Sequence, residues 1–350
     1  MSNTHASLAP SHSIKCVVWD LDNTLWDGVL LEDEKVTLRP DVVTIIKRLD
    51  ERGILHSIAS RNEYAAAMNK VKEFGLADYF IHPQINWGAK AASISAVAEA
   101  INIGLDTVAF IDDQRFELDE VAFSLPQVLC IDARDTRKLL DMPEMHPRFI
   151  TRDSSQRRLL YLQDINRNQA EEEFAGPKEE FLAGLNLVFT IAPACDDDLE
   201  RVEELTIRTN QLNSTGRTYS YEQLREFLES DKYRLLVAGL DDVYGTYGKI
   251  GLALIRCDEE VWTIKLLLMS CRVMSRGVGT IMLSHILQLA KRAEVRLRAE
   301  FVRTDRNRAM FVTYKFASFK EVERQGDLLI FENDLAQVQP FPNYVTVRET

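Results

Sequence analysis

The stretch Cys16-Val17-Val18-Trp19-Asp20-Leu21-Asp22-Asn23-Thr24-Leu25-Trp26 sets two carboxylates two residues apart at the end of an apolar run. Residues 16–19 are bulky and free of Gly or Pro, which predicts a buried parallel strand. In an open α/β sheet, ligands lie beyond the carboxyl ends of the strands. Asp20 and Asp22 therefore stand at the mouth of a site. Alternation along extended chain points both side chains the same way. Two crowded carboxylates repel and need a cation or a shared proton. An oxygen-rich Mg2+ site that handles phosphate resolves the crowding. Taken alone, the segment also fits an exposed turn with an Asp helix cap.

Three later features work with it. Ile54 to Ala59 predicts a second strand ending at Ser60. Arg61-Asn62-Glu63 opens a helix with an apolar face of Ala65, Met68, Val71 and Phe74, stopped by Gly75. Ser60 and the backbone N–H groups after it form either an anion cradle or an ordinary cap. Lys90 opens another helix after Trp87-Gly88-Ala89, where a lone Lys is usually a solvated charge. Thr107 to Ile111 is a further buried-strand run that delivers Asp112-Asp113 at its end. Consecutive acids there are costly unless paired with Lys or a metal.

The order DxDxT, Ser, Lys, Asp-Asp resembles the haloacid dehalogenase-like (HAD) phosphohydrolase superfamily over about residues 14–135. A response-regulator receiver would carry its acids and Lys in a different order. The resemblance implies a Rossmann-like parallel sheet and a Mg2+ cofactor. It makes Asp20 the phosphoryl-accepting nucleophile and a metal ligand. Asp22 becomes the general acid/base and ligates the metal through its carbonyl. Thr24, Ser60, Arg61, Asn62 and Lys90 hold the loop and the phosphate, and Asp112 and Asp113 divide the metal and Lys contacts. Only about a dozen residues separate Asp27 from Pro40, so the cap is a loop or small flap.

At 350 residues the chain suggests about two domains. Its hydrophobic content of 46% and charged content of 27% are those of a globular protein. A net charge of −12 argues against nucleic acid, and against an acidic carrier unless a local basic patch offsets it. The five cysteines are unclustered and odd in number, which fits a reducing cytoplasm. Residues 1–13 have no apolar signal core and read as a disordered tail, and no membrane span follows.

The strand–helix rhythm fades near Arg134. The expected division is a HAD-like domain over 14–148, a helical linker over 149–180 and a second domain over 181–340. Within the latter, 188–191 reads as a strand and 196–205 as a helix. Residues 234–238, 251–255 and 261–269 look like successive antiparallel strands. Cys271-Arg272-Val273-Met274-Ser275-Arg276-Gly277-Val278-Gly279-Thr280 then opens a helix with apolar Ile281, Met282, Ile286, Leu287 and Leu289. Glycines there let backbone N–H groups approach a phosphate. With Val295 to Phe301, Asn307 and Tyr314 following, this half resembles the Gcn5-related N-acetyltransferase (GNAT) fold, a mixed α+β domain. The fold class expected for the chain is α/β, a HAD parallel sheet with a minimal cap plus this GNAT-like domain.

Jointly, the two halves, with Phe110-Ile111-Asp112-Asp113, Arg208-Thr209-Asn210-Gln211, Asn213 and Ser270-Cys271-Arg272-Val273, resemble the FkbH-like family over about residues 14–330. That resemblance implies transfer of a glyceryl unit from 1,3-bisphosphoglycerate to the phosphopantetheine thiol of an acyl carrier protein, with loss of phosphate. The product would feed polyketide extender-unit or tetronate biosynthesis. Arg276, Gly277, Gly279 and Tyr314 fall at GNAT-like binding positions, where Tyr314 is either a proton donor to a leaving thiolate or a core residue. Asn210, Gln211 and Asn213 are either turn and cap residues or donors to glycerate and pantetheine amides. Cys271 is either a covalent relay or a structural Cys. His56 and His82 read as structural. The competing functions are a plain Mg2+-dependent phosphatase with a scaffold C-terminal domain, and an acyl-CoA-dependent acetyltransferase.

Overall fold

The computed structural model describes residues 13–209 and 211–350. All but the last residue of the expected disordered tail, 1–13, and the binding role of Asn210 lie outside the described residues. The chain divides into two compact units, 1–162 and 163–350.

The N-terminal unit runs β1 (Cys16–Trp19), β2 (Trp26–Asp27), β3 (Thr37–Leu38), α1 (Pro40–Glu51), β4 (Leu55–Ser60), α2 (Tyr64–Glu73), β5 (Gln84–Ile85), α3 (Lys90–Ile101), β6 (Val108–Asp112), α4 (Arg115–Ser124), β7 (Leu129–Asp132) and α5 (Arg152–Ser155). Five strands form one parallel sheet in the order β5-β4-β1-β6-β7. Cys16 faces Leu55 on one side and Val108 on the other, and all four residues of β1 are buried. That is why this strand reads as an unbroken apolar run. The helix α1 starts on Pro40, whose missing N–H costs nothing at a first turn, and buries Val42, Ile45, Ile46 and Leu49 at helical spacing. The helix α2 is capped by Glu63, whose carboxylate accepts from the Ala65 and Ala66 amides. Its buried residues are Ala67 and Val71, with Met68 and Phe74 partly buried; Ala65 is exposed, because the helix starts only at Tyr64 and turns that position outward.

The segment between β1 and α1 contains only the two-residue pair β2–β3, with Trp26 opposite Leu38 and Asp27 opposite Thr37. The cap is the small flap expected from its length. Between the neighbouring strands β1 and β4, the Trp19 indole donates to His56 Nδ1 at 3.0 Å, and His56 Nε2 lies 3.0 Å from the Ile46 carbonyl. Both contacts suit a neutral ring protonated on Nε2, and burial holds its pKa down to about 3.

The C-terminal unit contains most of α6 (Arg157–Glu173), then α7 (Lys178–Gly184), β8 (Leu187–Pro193), α8 (Leu199–Arg208), α9 (Tyr221–Glu229), β9 (Tyr233–Asp242), β10 (Gly245–Cys257), β11 (Val261–Met269), α10 (Ile281–Arg292), β12 (Arg296–Val302), α11 (Arg308–Phe316), β13 (Lys320–Gln325), β14 (Leu328–Asn333) and β15 (Val345–Glu349). The sheet order is β13-β14-β12-β11-β10-β9-β8-β15. Strands β8 to β11 form an antiparallel meander; β12 then joins β11 in parallel. This is the GNAT-like mixed sheet, with α10 packed on it through Ile281, Met282, Ile286 and Leu287. The unit extends past the expected end at 340, since β15 adds a parallel edge beside β8. Residues 149–180 are largely helical, and the division between the units falls inside α6.

Candidate active site

Strands β4, β1 and β6 are neighbours, so their carboxyl ends bring Ser60, Asp20 and Asp112 together. The Asp20 amide donates to the Ile111 carbonyl at 2.9 Å, which fixes it beside the end of β6. Lys90, the first residue of α3, is buried rather than solvated. Its ammonium donates to Asp20 Oδ1 at 2.8 Å and to Asp112 Oδ2. Asp112 Oδ1 accepts from the Gln114 amide at 2.8 Å. The Ser60 hydroxyl hydrogen-bonds the Asp20 carboxylate.

Oxygens of Asp20, Asp112 and Asp113 lie within 4.8 Å of one another. Asp113 Oδ1 is buried with no hydrogen-bond partner. Burial pushes the Asp20 carboxyl up to about 7, against the pull of Lys90, and Asp112 adds repulsion. Burial and then the Asp112 charge also raise Asp113. Burial pulls the Lys90 ammonium down, but Asp20 and Asp112 outweigh it and hold it above its ordinary value. Three hard oxygen donors, one of them unpartnered, with a shortage of positive charge, fit a divalent cation.

The Asp22 carboxylate is held by three donors. Its side chain accepts from Trp26 Nε1 at 2.8 Å, the Leu30 amide at 3.0 Å and Asn62 Nδ2 at 2.9 Å. The Asp22 carboxylate is not one of the three that crowd together, and its charge still acts on Asp113. Asn62 holds Asp22 rather than standing free for phosphate. Thr24 is fully buried and its hydroxyl has no partner. Arg61 does not reach toward Asp20: its guanidinium contacts Glu117 at 3.1 Å and Glu120 at 3.5 Å, both on α4. Sequence reading missed Glu117. Its only signal was an acid five residues after Asp112, on the turn that follows β6.

In the C-terminal unit Cys271 is a half-buried free thiol at the start of a 3-10 turn over Cys271–Arg276. Three expected binding residues are instead committed to structure. Arg276 is buried and donates to Glu171 at 2.6 Å and to the Asn168 amide oxygen at 2.9 Å, because a guanidinium removed from water takes acceptors on α6. Asn213 is buried and its Oδ1 accepts from the Thr215 and Gly216 amides, the turn chemistry for which Asn is suited. Tyr314 is fully buried, stacked on Phe331 at 6.0 Å and edge-on to Phe301 and Phe319, and burial raises its phenol. Gly277 is left-handed at φ 68, where a Cβ would collide with the Tyr344 hydroxyl. Gly279 faces open space, and Gln211 is half-buried. Among the described residues no helix is long and apolar enough to cross a membrane.

No family model matches the chain. It is 29% identical over 127 residues to Magnesium-dependent phosphatase 1 of Homo sapiens, a match covering 31% of this chain and 72% of that protein. Among solved structures, it is 28% identical to the N-terminal part of BF1531 from Bacteroides fragilis, a phosphatase-domain protein complexed with Mg, at a TM-score of 0.34. That match covers 38% of this chain and 40% of the other, so the chain spans well under half of that structure. The ribosomal-protein-S18-alanine N-acetyltransferase of Escherichia coli matches at 16% identity and a TM-score of 0.33, covering 41% of this chain and 92% of that one. The overlaps are partial, and the HAD-like and GNAT-like folds of the two units rest on strand order and register.

Proposed function

We propose that the N-terminal unit is a Mg2+-dependent phosphohydrolase or phosphotransferase with Asp20 as nucleophile. The observation that carries it is the single buried Lys90 shared by Asp20 and Asp112, with Asp113 unpartnered beside them. Asp20, Asp112 and Asp113 would hold the Mg2+, which supplies charge neutralisation for an incoming phosphate. Lys90 and Ser60 bind and orient that phosphate. An Asp20 oxygen bonds to phosphorus as the bond to the leaving oxygen breaks, and Asp22 gives that oxygen its proton. Asp22 then takes a proton from the water that releases phosphate from Asp20. Its three donors, Trp26, Leu30 and Asn62, keep the carboxylate in place for both steps.

The finer proposal is that the chain loads a glyceryl unit from 1,3-bisphosphoglycerate onto the phosphopantetheine thiol of an acyl carrier protein, in the cytoplasm, for polyketide extender-unit or tetronate biosynthesis. It is supported by the motif set shared with the FkbH-like family, by the fused GNAT-like unit and by the free thiol of Cys271. A thiolate attacks the acyl carbon of the mixed anhydride, and the acyl-bound phosphate leaves; the remaining phosphate ester is the substrate for Asp20. If Cys271 is the first thiolate, enzyme without carrier gains an acyl adduct that hydroxylamine removes, and Cys271→Ser loses it.

The test is phosphate release with Mg2+ or EDTA, alongside intact mass of a carrier incubated with enzyme and 1,3-bisphosphoglycerate. Glyceryl-loaded carrier supports the finer proposal. Mg2+-dependent phosphate release with an unloaded carrier leaves the phosphatase. Metal-independent release would overturn both.

A further inference from the structure

Helix α11 leaves one face open to solvent. Val312 and Phe316 lie four residues apart on it, 39% and 74% exposed, and Arg308 stands one turn before Val312. Residues 303–316 hold four cations, Arg303, Arg306, Arg308 and Lys315, against the single acid Asp305. All four cations are exposed, and among the described residues none of them has an ion pair. Exposed cations elsewhere take a neighbouring acid, as Arg115, Lys138 and Arg225 do. The Arg303 guanidinium and the Lys315 ammonium both rest on the Phe311 ring, 5.1 and 5.7 Å from its centre. The loop before α11 and the last turn of α11 therefore share one surface. The long stems cover the ring while the charged ends stay in water.

The loop is fixed in advance. Asn307 is fully buried; its Nδ2 donates to the Val302 carbonyl at 2.8 Å and to the Asn213 carbonyl at 3.0 Å. Its Oδ1 accepts from the Thr304 amide at 2.9 Å. A backbone already ordered adds little to the entropy lost on binding. Four like charges on one surface repel, and an anionic surface brought against them is attracted by all four. With 54 acids to 42 bases, the chain as a whole repels an acidic protein, so docking one needs a local surface of opposite sign. Arginines set among exposed aromatic and aliphatic side chains are the make-up of a protein interface. The same net charge argues against nucleic acid.

We propose that residues 303–316 are the docking surface for an acidic protein, one whose carboxylates surround apolar side chains that meet Val312 and Phe316. This rests on the reading of an acyl carrier protein as the chain's partner. The probe is a fluorescein-labelled holo-acyl carrier protein of net negative charge, titrated with the full chain and followed by anisotropy. Arg306→Glu together with Arg308→Glu is expected to raise Kd at least about tenfold. It should also remove most of the weakening seen when salt goes from about 50 to about 300 mM. Phe316→Ser is expected to raise Kd about fivefold or more at both salt levels and to keep the salt dependence. All three side chains are exposed, so native circular dichroism and Mg2+-dependent phosphate release without carrier should match the wild type. An unchanged Kd in either variant overturns the surface and leaves the carrier reading standing. No carrier binding by the wild type sinks the carrier reading and the surface together. A single-stranded oligonucleotide that binds more tightly than the carrier, through the same two arginines, overturns the choice of partner.

Discussion

The buried charges of the two units are balanced differently. In the C-terminal unit Arg167, Arg272 and Arg276 face Asp164, Asp242 and Glu171, three cations against three anions. Arg167 has no exposed surface. It grips both oxygens of Asp242 at 2.8 and 3.0 Å, donates to Asp164 and the Gly245 carbonyl, and lies 3.8 Å over the Tyr247 ring. In the N-terminal unit Lys90 alone faces Asp20, Asp112 and Asp113. One cation against three carboxylates is completed only by something from outside. Buried charge without compensation costs several kcal/mol. A balanced cluster serves as scaffold, while an unbalanced one is suited to take up a cation.

Substituting Asp by Asn in the two clusters should break this comparison if it is wrong. Asp20→Asn is expected to lower Mg2+-dependent phosphate release on the order of 10³-fold or more. The metal-free protein should keep or raise its melting temperature, because one crowded charge is gone. Near-normal turnover by a folded variant would remove Asp20 from the chemistry. Asp242→Asn should do the reverse and cost about 3–5 kcal/mol in urea unfolding, since it strands a buried guanidinium. A loss under about 1 kcal/mol would mean that the Arg167 cluster is not scaffold.

Lys90→Ala sharpens the same contrast. With the one cation gone, kcat should fall by about 10²-fold and KM for the phosphorylated substrate should rise. Steady-state kinetics with saturating Mg2+ reads both, and an unchanged KM would separate Lys90 from phosphate binding. The smallest effect is a pH dependence from His56, a group of the N-terminal core outside either cluster. Its folded pKa is held down to about 3 by burial, below the ordinary 6.5 of a free imidazole, so the unfolded chain takes up the proton first. The stability it protects is complete above pH 6.5 and is lost as pH falls toward 3. The difference in melting temperature between wild type and His56→Gln should therefore shrink steadily over that window; a flat difference would show that His56 is not held neutral.

Much of the first unit was legible because parallel strands buried on both faces are short, apolar and unbroken, as Cys16 to Trp19 and Val108 to Ile111 are. Asp20, Ser60 and Asp112 follow such runs directly, so their convergence needed only a parallel sheet. The second unit was less legible at its sites. Asn213, Arg276 and Tyr314 have side chains that suit ligand binding and structure equally, and local spacing does not tell which they do. Glu117 was invisible for the opposite reason. An acid on a helix reads as surface until its neighbours are known.

Sequence alone determined the order of chemical groups along the chain, the parallel sheet that brings three strand ends together, the small cap and the antiparallel meander of the second half. These depend on hydrophobic period and on residues adjacent in sequence. Tertiary structure decided the rest: that Lys90 is buried between two carboxylates, that Trp26 and Asn62 hold Asp22, that Arg61 goes to Glu117, and that Arg276 closes on α6. Each of those is a pairing of charged or polar groups from different elements. Which partner a buried charge takes depends on desolvation and on the distances set by packing, and neither is written in local sequence.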